Sequence, residues 1–317
     1  MTGSAAAAVT PGYRPSVPDP LLFVLDAQGE PHPADPRAPL VPADDLALLR
    51  GEGVFETMRV AAPRAHGAPA HLTRLAGSAL AVDVELPPRG ALEQLVAAAA
   101  AAWPEGEEAS LRLVVTKGSV GSSGIAYALV SPIPATTVAA RRGVRALTLT
   151  LGVPAGLRAT APWLLPGVKS TSYAVAMAAL RAAAAAGAED VVWVSTDGEV
   201  LEAPTANVAW VGADGVLVSP PAAEVGVLAG TTLAEVLVLA AARGVGCDSR
   251  RGTLAELVTA REAFLVSSVR GVAPLLALDD TAIGDGTPGQ LTAALQADLE
   301  AAVRAPLIPL DGAPEPS

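Results

Sequence analysis

Only two of the 21 Lys and Arg residues in this chain are lysine, Lys117 and Lys169. A sequence so biased towards arginine places arginine wherever a generic positive charge suffices. Lysine alone has an amine that can lose its proton and attack a carbonyl or imine, so each lysine is a candidate nucleophile. Lys117 follows an apolar run and precedes Gly118, the setting of a strand end or pocket rim. Lys169 stands just before a helical stretch, where the helix dipole disfavours an ammonium that serves no other purpose. Thr231 and Thr232 open another helical stretch after Gly230. A helix start offers unpaired N–H groups to an anion. Thr232 and Glu235 also have capping-box spacing, and the two roles can coexist. His32, His66 and His71 have no metal-ligand spacing, and His71 reads as locally structural. No Ser–His–Asp set, Walker loop or GxGxxG fingerprint is present.

The elements that must position these residues fall into two halves. In the first, Leu21–Leu25 and Phe55–Ala61 read as strands, Leu72–Val82 and Leu92–Trp103 as helices, and Leu111–Thr116 with Ile125–Val130 as a hairpin. Proline and small residues from Ser131 to Thr137 suit a linker. In the second, Val144–Leu151 is strand-like, and Ser172–Ala186 is a helix ended by Gly187. Val191–Ser195, Ala206–Val211 and Val216–Ser219 are short strands separated by Asp-Gly turns at Asp197–Gly198 and Asp214–Gly215. Thr232–Arg243 is a helix, Phe264–Ser268 a buried strand, and Pro288–Val303 a last helix. The pattern predicts an α/β (α+β) protein with its site between two domains. The expected organisation is a disordered leader (1–20), a smaller α/β domain (21–132), a linker (133–143), a larger domain (144–305) and a tail (306–317).

Composition excludes several classes. Hydrophobic residues make up 51% of the chain and charged residues 17%, so it is globular, with alanine runs that favour helix. No apolar stretch has the length of a membrane span, and the first residues lack the pattern of a signal peptide. A single cysteine, Cys247, allows no intramolecular disulfide and fits a reducing cytoplasm. A net charge of −11 argues against nucleic acid as a partner.

Five segments stand in a telling order: Gly51–Arg59 (GEGVFETMR), His71–Leu75 (HLTRL), Val168–Tyr173 (VKSTSY), Glu202–Asn207 (EAPTAN) and Leu228–Thr232 (LAGTT). From Leu21 to Leu278 the chain resembles the fold-type IV enzymes of pyridoxal 5′-phosphate (PLP). That family includes branched-chain and D-amino acid aminotransferases and 4-amino-4-deoxychorismate lyase. The resemblance implies a two-domain fold of the D-amino acid aminotransferase type and PLP as cofactor. It implies that Lys169 is the Schiff-base lysine and, once displaced by substrate, the general base. Glu202 then faces the pyridine nitrogen and keeps it protonated. Arg74, Thr231 and Thr232 hold the phosphate, with Thr205 and Ala206 on the same cup. The resemblance also implies a homodimer acting on a small molecule.

Within that family three features lean towards the lyase. Thr57 matches a position commonly threonine in the lyases and glycine in branched-chain aminotransferases. Ser267–Gly271 (SSVRG) looks like a lyase segment in which Arg270 pairs with a substrate carboxylate. The loop Ser119–Gly124 lacks the Arg and His with which D-amino acid aminotransferases trap a carboxylate. The expected reaction converts 4-amino-4-deoxychorismate to 4-aminobenzoate and pyruvate. An aminotransferase for branched-chain, aromatic or D-amino acids is the alternative, and a non-catalytic PLP-binding protein is the alternative of another class.

Overall fold

A computed structural model describes residues 18–61 and 63–305. The expected tail and all but the end of the expected leader lie outside the described residues. The first half is a five-stranded antiparallel sheet in the order β2 (Pro31–Ala34), β1 (Leu21–Leu25), β5 (Ala126–Pro132), β4 (Ala109–Thr116), β3 (Gly53–Val60). The side-chain period of two divides each strand between two faces. Val54, Met58 and Val60 of β3 and Leu111, Leu113 and Val115 of β4 are buried against helices α2 (Ala68–Ala81) and α3 (Arg89–Ala101). The alternate residues Phe55, Thr57 and Arg112 face the second half of the molecule, where they line its large cavity.

The second half is a mixed sheet in the order β10 (Cys247–Ser249), β9 (Leu217–Ser219), β8 (Asn207–Val211), β11 (Glu262–Ser267), β12 (Gly271–Leu278), β6 (Val144–Thr150), β7 (Asp190–Val194), with β13 (Thr281–Ala282) paired to β12. One face packs on helices α8 (Thr231–Ala242) and α10 (Gln290–Arg304) through Ala209, Val211, Phe264 and Leu295. Val208, Trp210 and Leu265 build the core on the other face. Helix α6 (Ala174–Ala185) ends as expected, with Gly187 at a φ of 79°. The expected Asp-Gly turns are also present, with Gly198 at 82° and Gly215 at 84°.

Between the two halves, residues 133–143 carry a short helix, α4 (Ala135–Ala140). Here the halves are tied by a buried charge. The Arg59 side chain, wholly inside, is hydrogen-bonded to both oxygens of Glu300 on α10 and to Glu108, all at 2.6 Å. Arg141, after α4, donates to the second oxygen of Glu108 at 3.0 Å. Without Arg59 the two carboxylates, each about a quarter exposed, would lose their shared guanidinium, though Glu108 would keep its bond from Arg141. Arg59→Ala should therefore cost about 1.5–3 kcal/mol of stability, the scale of hydrogen bonds to charged groups, seen as a lower denaturant midpoint. A loss under about 1 kcal/mol would mean that the cluster behaves as a surface ion pair.

Candidate active site

The two sheets enclose a cavity of about 1030 Å³. One wall is the exposed face of β3, β4 and β5, contributing Phe55, Thr57, Ser110, Arg112, Leu129 and Ser131. Its floor is the segment around Lys169. That segment is docked as an extra edge on β3: Phe55 N–H donates to the Lys169 carbonyl (3.1 Å), and Thr171 N–H donates to the Gly53 carbonyl (2.8 Å). The GEG sequence makes this docking possible. Gly51, at φ 75°, lies so close to Ser172 that a side chain there would collide with it, and a side chain at Gly53 would collide with Ala47 and crowd Thr171. Thr171 Oγ1 then donates to the Gly51 carbonyl at 2.9 Å. Two motifs that are far apart in sequence thus require one another.

Lys169 N–H donates to Ser78 Oγ of α2 (3.1 Å), and its Nζ sits 4.7 Å from the centre of the Phe55 ring. Burial disfavours the ammonium, and Arg74 and Arg112 oppose it further. They outweigh the attraction of Glu56 and Glu202, and the pKa falls to about 8. Tyr173 packs edge-on to Phe55, with ring centres 5.2 Å apart, and lines the same cavity. Tyr173 belongs to the VKSTSY segment, whose sequence alone assigns it no role.

Glu202 lies at the far side of the cavity, held by a hairpin in which Trp193 N–H donates to its carbonyl (2.8 Å). Its Oε2 accepts from Leu228 N–H at 3.0 Å, and Arg158 Nη1 is 3.6 Å from Oε1. Burial pushes the carboxyl pKa up, against the pull of the Leu228 N–H and Arg158. Arg158 Nη1 is itself buried without a hydrogen-bond partner among the described residues. Helix α5 (Ala155–Thr160), which carries it, is too short to have shown a period in the sequence.

Helix α8 begins at the third side. Its cap is Gly230, with no side-chain capping bond, so the expected box between Thr232 and Glu235 does not form. The hydroxyls are engaged elsewhere: Thr231 Oγ1 lies 3.2 Å from His71 Nε2, and Thr232 Oγ1 lies 3.0 Å from Ser268 Oγ. Glu235 instead meets His66 Nε2 at 2.8 Å. Gly230 is required because a Cβ there would collide with Asn207 Oδ1, while Asn207 Nδ2 donates to the Leu228 carbonyl (2.8 Å). The first N–H groups of α8 have no helical acceptor within reach. Arg74 Nη1 joins this edge by donating to the Ala229 carbonyl (3.0 Å). Thr205 and Ala206 also line the cavity.

The structure therefore gathers Lys169, Thr57, Glu202, Arg74, Thr205, Ala206, Thr231 and Thr232 around one space. Arg270 is there too, already paired. Its guanidinium is bound to buried Asp190 (2.5 Å) and donates to Thr205 Oγ1 (3.1 Å), because Asp190 needs a counter-charge inside the protein. A substrate carboxylate, the partner expected for it, would share this guanidinium with Asp190. Arg112, which no sequence motif marks, is the better placed cation. It stands opposite Thr57 in the β3–β4 ladder and faces the cavity, with no acidic partner among the described residues. Its guanidinium carbon lies 5.3 Å from the centre of the Phe55 ring. The alternation of β4 could have exposed it, but only with the register against β3 in hand. Lys117 is committed away from the cavity, donating to Glu52 (2.6 Å) and the Val82 carbonyl (3.0 Å).

These groups fit PLP on their own chemistry. A buried amine with a lowered pKa suits an aldehyde, and a buried carboxylate suits a protonated pyridine nitrogen. A helix start flanked by arginine suits a phosphate.

The comparisons with known proteins agree. The family described as amino-transferase class IV matches residues 53–278. A Mycobacterium tuberculosis protein named bifunctional aminodeoxychorismate lyase / D-amino acid transaminase is 42% identical over 253 residues, covering 77% of this chain and 88% of the relative. A PLP-bound structure from the same organism, described as a hypothetical aminotransferase, superposes with a TM-score of 0.83 at 38% identity. It covers 89% of this chain and 98% of that one. A form of that protein with alpha-ketoglutarate and PMP bound gives the same TM-score of 0.83 and the same coverage.

The lowered pKa of Lys169 has a direct consequence. In the cofactor-free protein its amine should react with an amine-labelling reagent along a titration curve centred near pH 8, measured by peptide mass spectrometry. A midpoint near the ordinary value of 10.5 would contradict the buried placement. The folded chain releases this proton more readily than the unfolded chain. The contribution of Lys169 to stability should thus improve as pH rises from about 8 to 10.5.

Proposed function

The chain belongs to the class IV aminotransferase family, as a PLP-dependent enzyme of fold type IV, and we propose that it cleaves 4-amino-4-deoxychorismate to 4-aminobenzoate and pyruvate. The observation that carries this reading is the pair Thr57 and Arg112, side by side on the cavity wall formed with Phe55, whose ring also touches Lys169. A hydroxyl beside an uncommitted guanidinium suits a substrate whose leaving group is an ether oxygen attached to a carboxylate-bearing carbon. The name of the 42% identical relative, which includes aminodeoxychorismate lyase, supports the same assignment.

PLP, when bound, supplies an electron sink for the carbon that loses a proton. The protein groups do the rest. Lys169 removes the proton at C4 of the substrate, a task suited to an amine whose pKa has fallen to about 8. Glu202 holds the pyridine nitrogen protonated, with Leu228 N–H and Arg158 steadying its carboxylate. Arg112 binds the enolpyruvyl carboxylate, and Thr57 lies beside the oxygen that departs from C3. The C4–H and C3–O bonds break, the ring becomes aromatic, and the released enolate takes up one proton to become pyruvate. Arg74, Thr231, Thr232, Thr205 and Ala206 hold the phosphate end, with Arg270 steadying Thr205.

A transaminase reading has its own support. The same relative carries D-amino acid transaminase in its name, and the 38% identical structure holds alpha-ketoglutarate and PMP. Lys169, Glu202 and the phosphate residues serve either reaction, so substrate decides. With aminodeoxychorismate, the PLP-loaded protein should form 4-aminobenzoate and pyruvate in equal, sustained amounts. Lys169→Ala should abolish turnover. Arg112→Leu should lower kcat/KM by about 10-fold or more, the scale of a lost charge-assisted contact. No product above the uncatalysed background would reject the lyase and leave the transaminase.

We also propose that the enzyme is a homodimer, as the family resemblance implies. Leu48, Leu49, Val120 and Trp163 are more than half exposed, which suits surfaces covered by a second copy. Light scattering at micromolar concentration should give twice the chain mass of 31.6 kDa; the mass of a single chain would reject the dimer. Among the described residues no helix is long and apolar enough to cross a membrane.

A further inference from the structure

Glu56 has no place in the reaction described above, yet it is one of the most unusual residues in the protein. It projects from the face of β3 shared with Val54 and Met58, which are packed into the apolar core, and its side chain is wholly buried. A carboxylate in such a place costs stability unless it is fully paired. Its partners are Arg74 and His71, both from α2. Arg74 Nε donates to Oε1 and Nη2 to Oε2, each at 2.7 Å, and His71 Nδ1 meets Oε2 at 2.6 Å.

Each of those bonds has a consequence at the cavity. The two-pronged grip fixes the plane of the Arg74 guanidinium. It leaves Nη1 at the outer edge, where one N–H goes to the Ala229 carbonyl at 3.0 Å and the other is uncommitted among the described residues. The grip on His71 fixes the ring. Burial pushes the Glu56 pKa up, but the bonds from Arg74 and His71 outweigh it and bring it to about 2. An ionised carboxylate can only accept, so Nδ1 of His71 is the donor. Nε2 is then presented to Thr231 Oγ1 (3.2 Å) and Ser268 Oγ (3.3 Å), and Ser268 passes the link to Thr232 Oγ1 (3.0 Å). Arg74, Thr231, Thr232 and Ser268 line the cavity, whereas Glu56 and His71 do not.

We propose that Glu56 is the positioning residue of the phosphate site, orienting Arg74 directly and the Thr231, Thr232 and Ser268 hydroxyls through His71. The inference rests on the reading above in which Arg74 and the start of α8 hold the phosphate of PLP. Glu56 touches no part of the ligand and acts only through these side chains. Four parts of the fold, β3, α2, the start of α8 and the β11–β12 turn, are brought into one arrangement by its two oxygens.

The test compares PLP with pyridoxal, which has the same ring and aldehyde but no phosphate. Both are titrated into full-length protein by absorbance, and the 31P resonance of bound PLP is recorded. In Glu56→Gln, PLP affinity should fall by about 10- to 100-fold, the scale of lost hydrogen bonds to charged groups. Pyridoxal affinity should stay within about twofold, and the 31P resonance should move. Glu56→Asp, which keeps the charge on a shorter arm, should recover part of the lost preference for PLP. It should still differ measurably from wild type, so it tests the inference even if the Gln variant fails to fold. Equal weakening of both ligands would reduce Glu56 to a merely structural role and overturn the proposal. So would an unchanged PLP-to-pyridoxal ratio in either variant. Arg74→Gln separates the two levels of the argument. If it loses the preference for PLP while Glu56→Gln keeps it, the positioning role alone fails. If Arg74→Gln also keeps the preference, the phosphate reading itself fails.

Discussion

A lysine amine can act as a nucleophile at neutral pH only if its surroundings keep it from being solvated as an ammonium, and much of this fold serves that one requirement. Lys169 is half-buried beside the Phe55 ring, with its backbone bonded to β3 and to Ser78 of α2. Holding the amine there needs a strand edge with no side chains in the way, which Gly51 and Gly53 supply. It also needs walls that close from both sides. The Arg59 cluster contributes by joining β3 to α10 across the junction of the two halves.

Strand β3 is the economy of the site. Its residues on one face, Phe55 and Thr57, belong to the cavity, and Glu56 on the opposite face reaches back to α2. Its first residues receive the Lys169 segment. A one-residue slip in register would invert all three roles together. The cavity lining sets Lys169, Arg74, Arg112 and Arg270 against Glu189, Asp190 and Glu202, and both Arg74 and Arg270 are already paired with carboxylates. Arg112 is the lining arginine with no acidic partner among the described residues, which suits one carboxylate of a small ligand.

The residues that were legible in the sequence are those whose type is rare or whose position is local. Lys169 stood out because lysine is scarce here, and the helix before Gly187 and the Asp-Gly turns stood out because φ > 0 favours glycine. Period-two alternation located β3, β4 and β5, though it set their ends a residue or two differently. What was not legible depends on contacts between distant segments. β12 is not legible because Pro274 and a register shift between Leu275 and Ala277 break its pattern. Helix α5, with Arg158, was too short to show a period. Arg112 takes its meaning from the residue opposite it, Thr57, and Arg270 loses its expected freedom to Asp190, eighty residues away in the chain. The Thr232–Glu235 capping spacing was a true local pattern that tertiary partners overrode.

The central claim is that the amine of Lys169, and not that of Lys117, carries the cofactor. It is tested most directly by reducing the PLP-loaded protein with borohydride and locating the phosphopyridoxyl group by peptide mass spectrometry. The account predicts one modified residue per chain, Lys169, with Lys117 unmodified because its amine is bound to Glu52 and the Val82 carbonyl. Modification at Lys117, or none at Lys169 under conditions where the cofactor is retained, would contradict it.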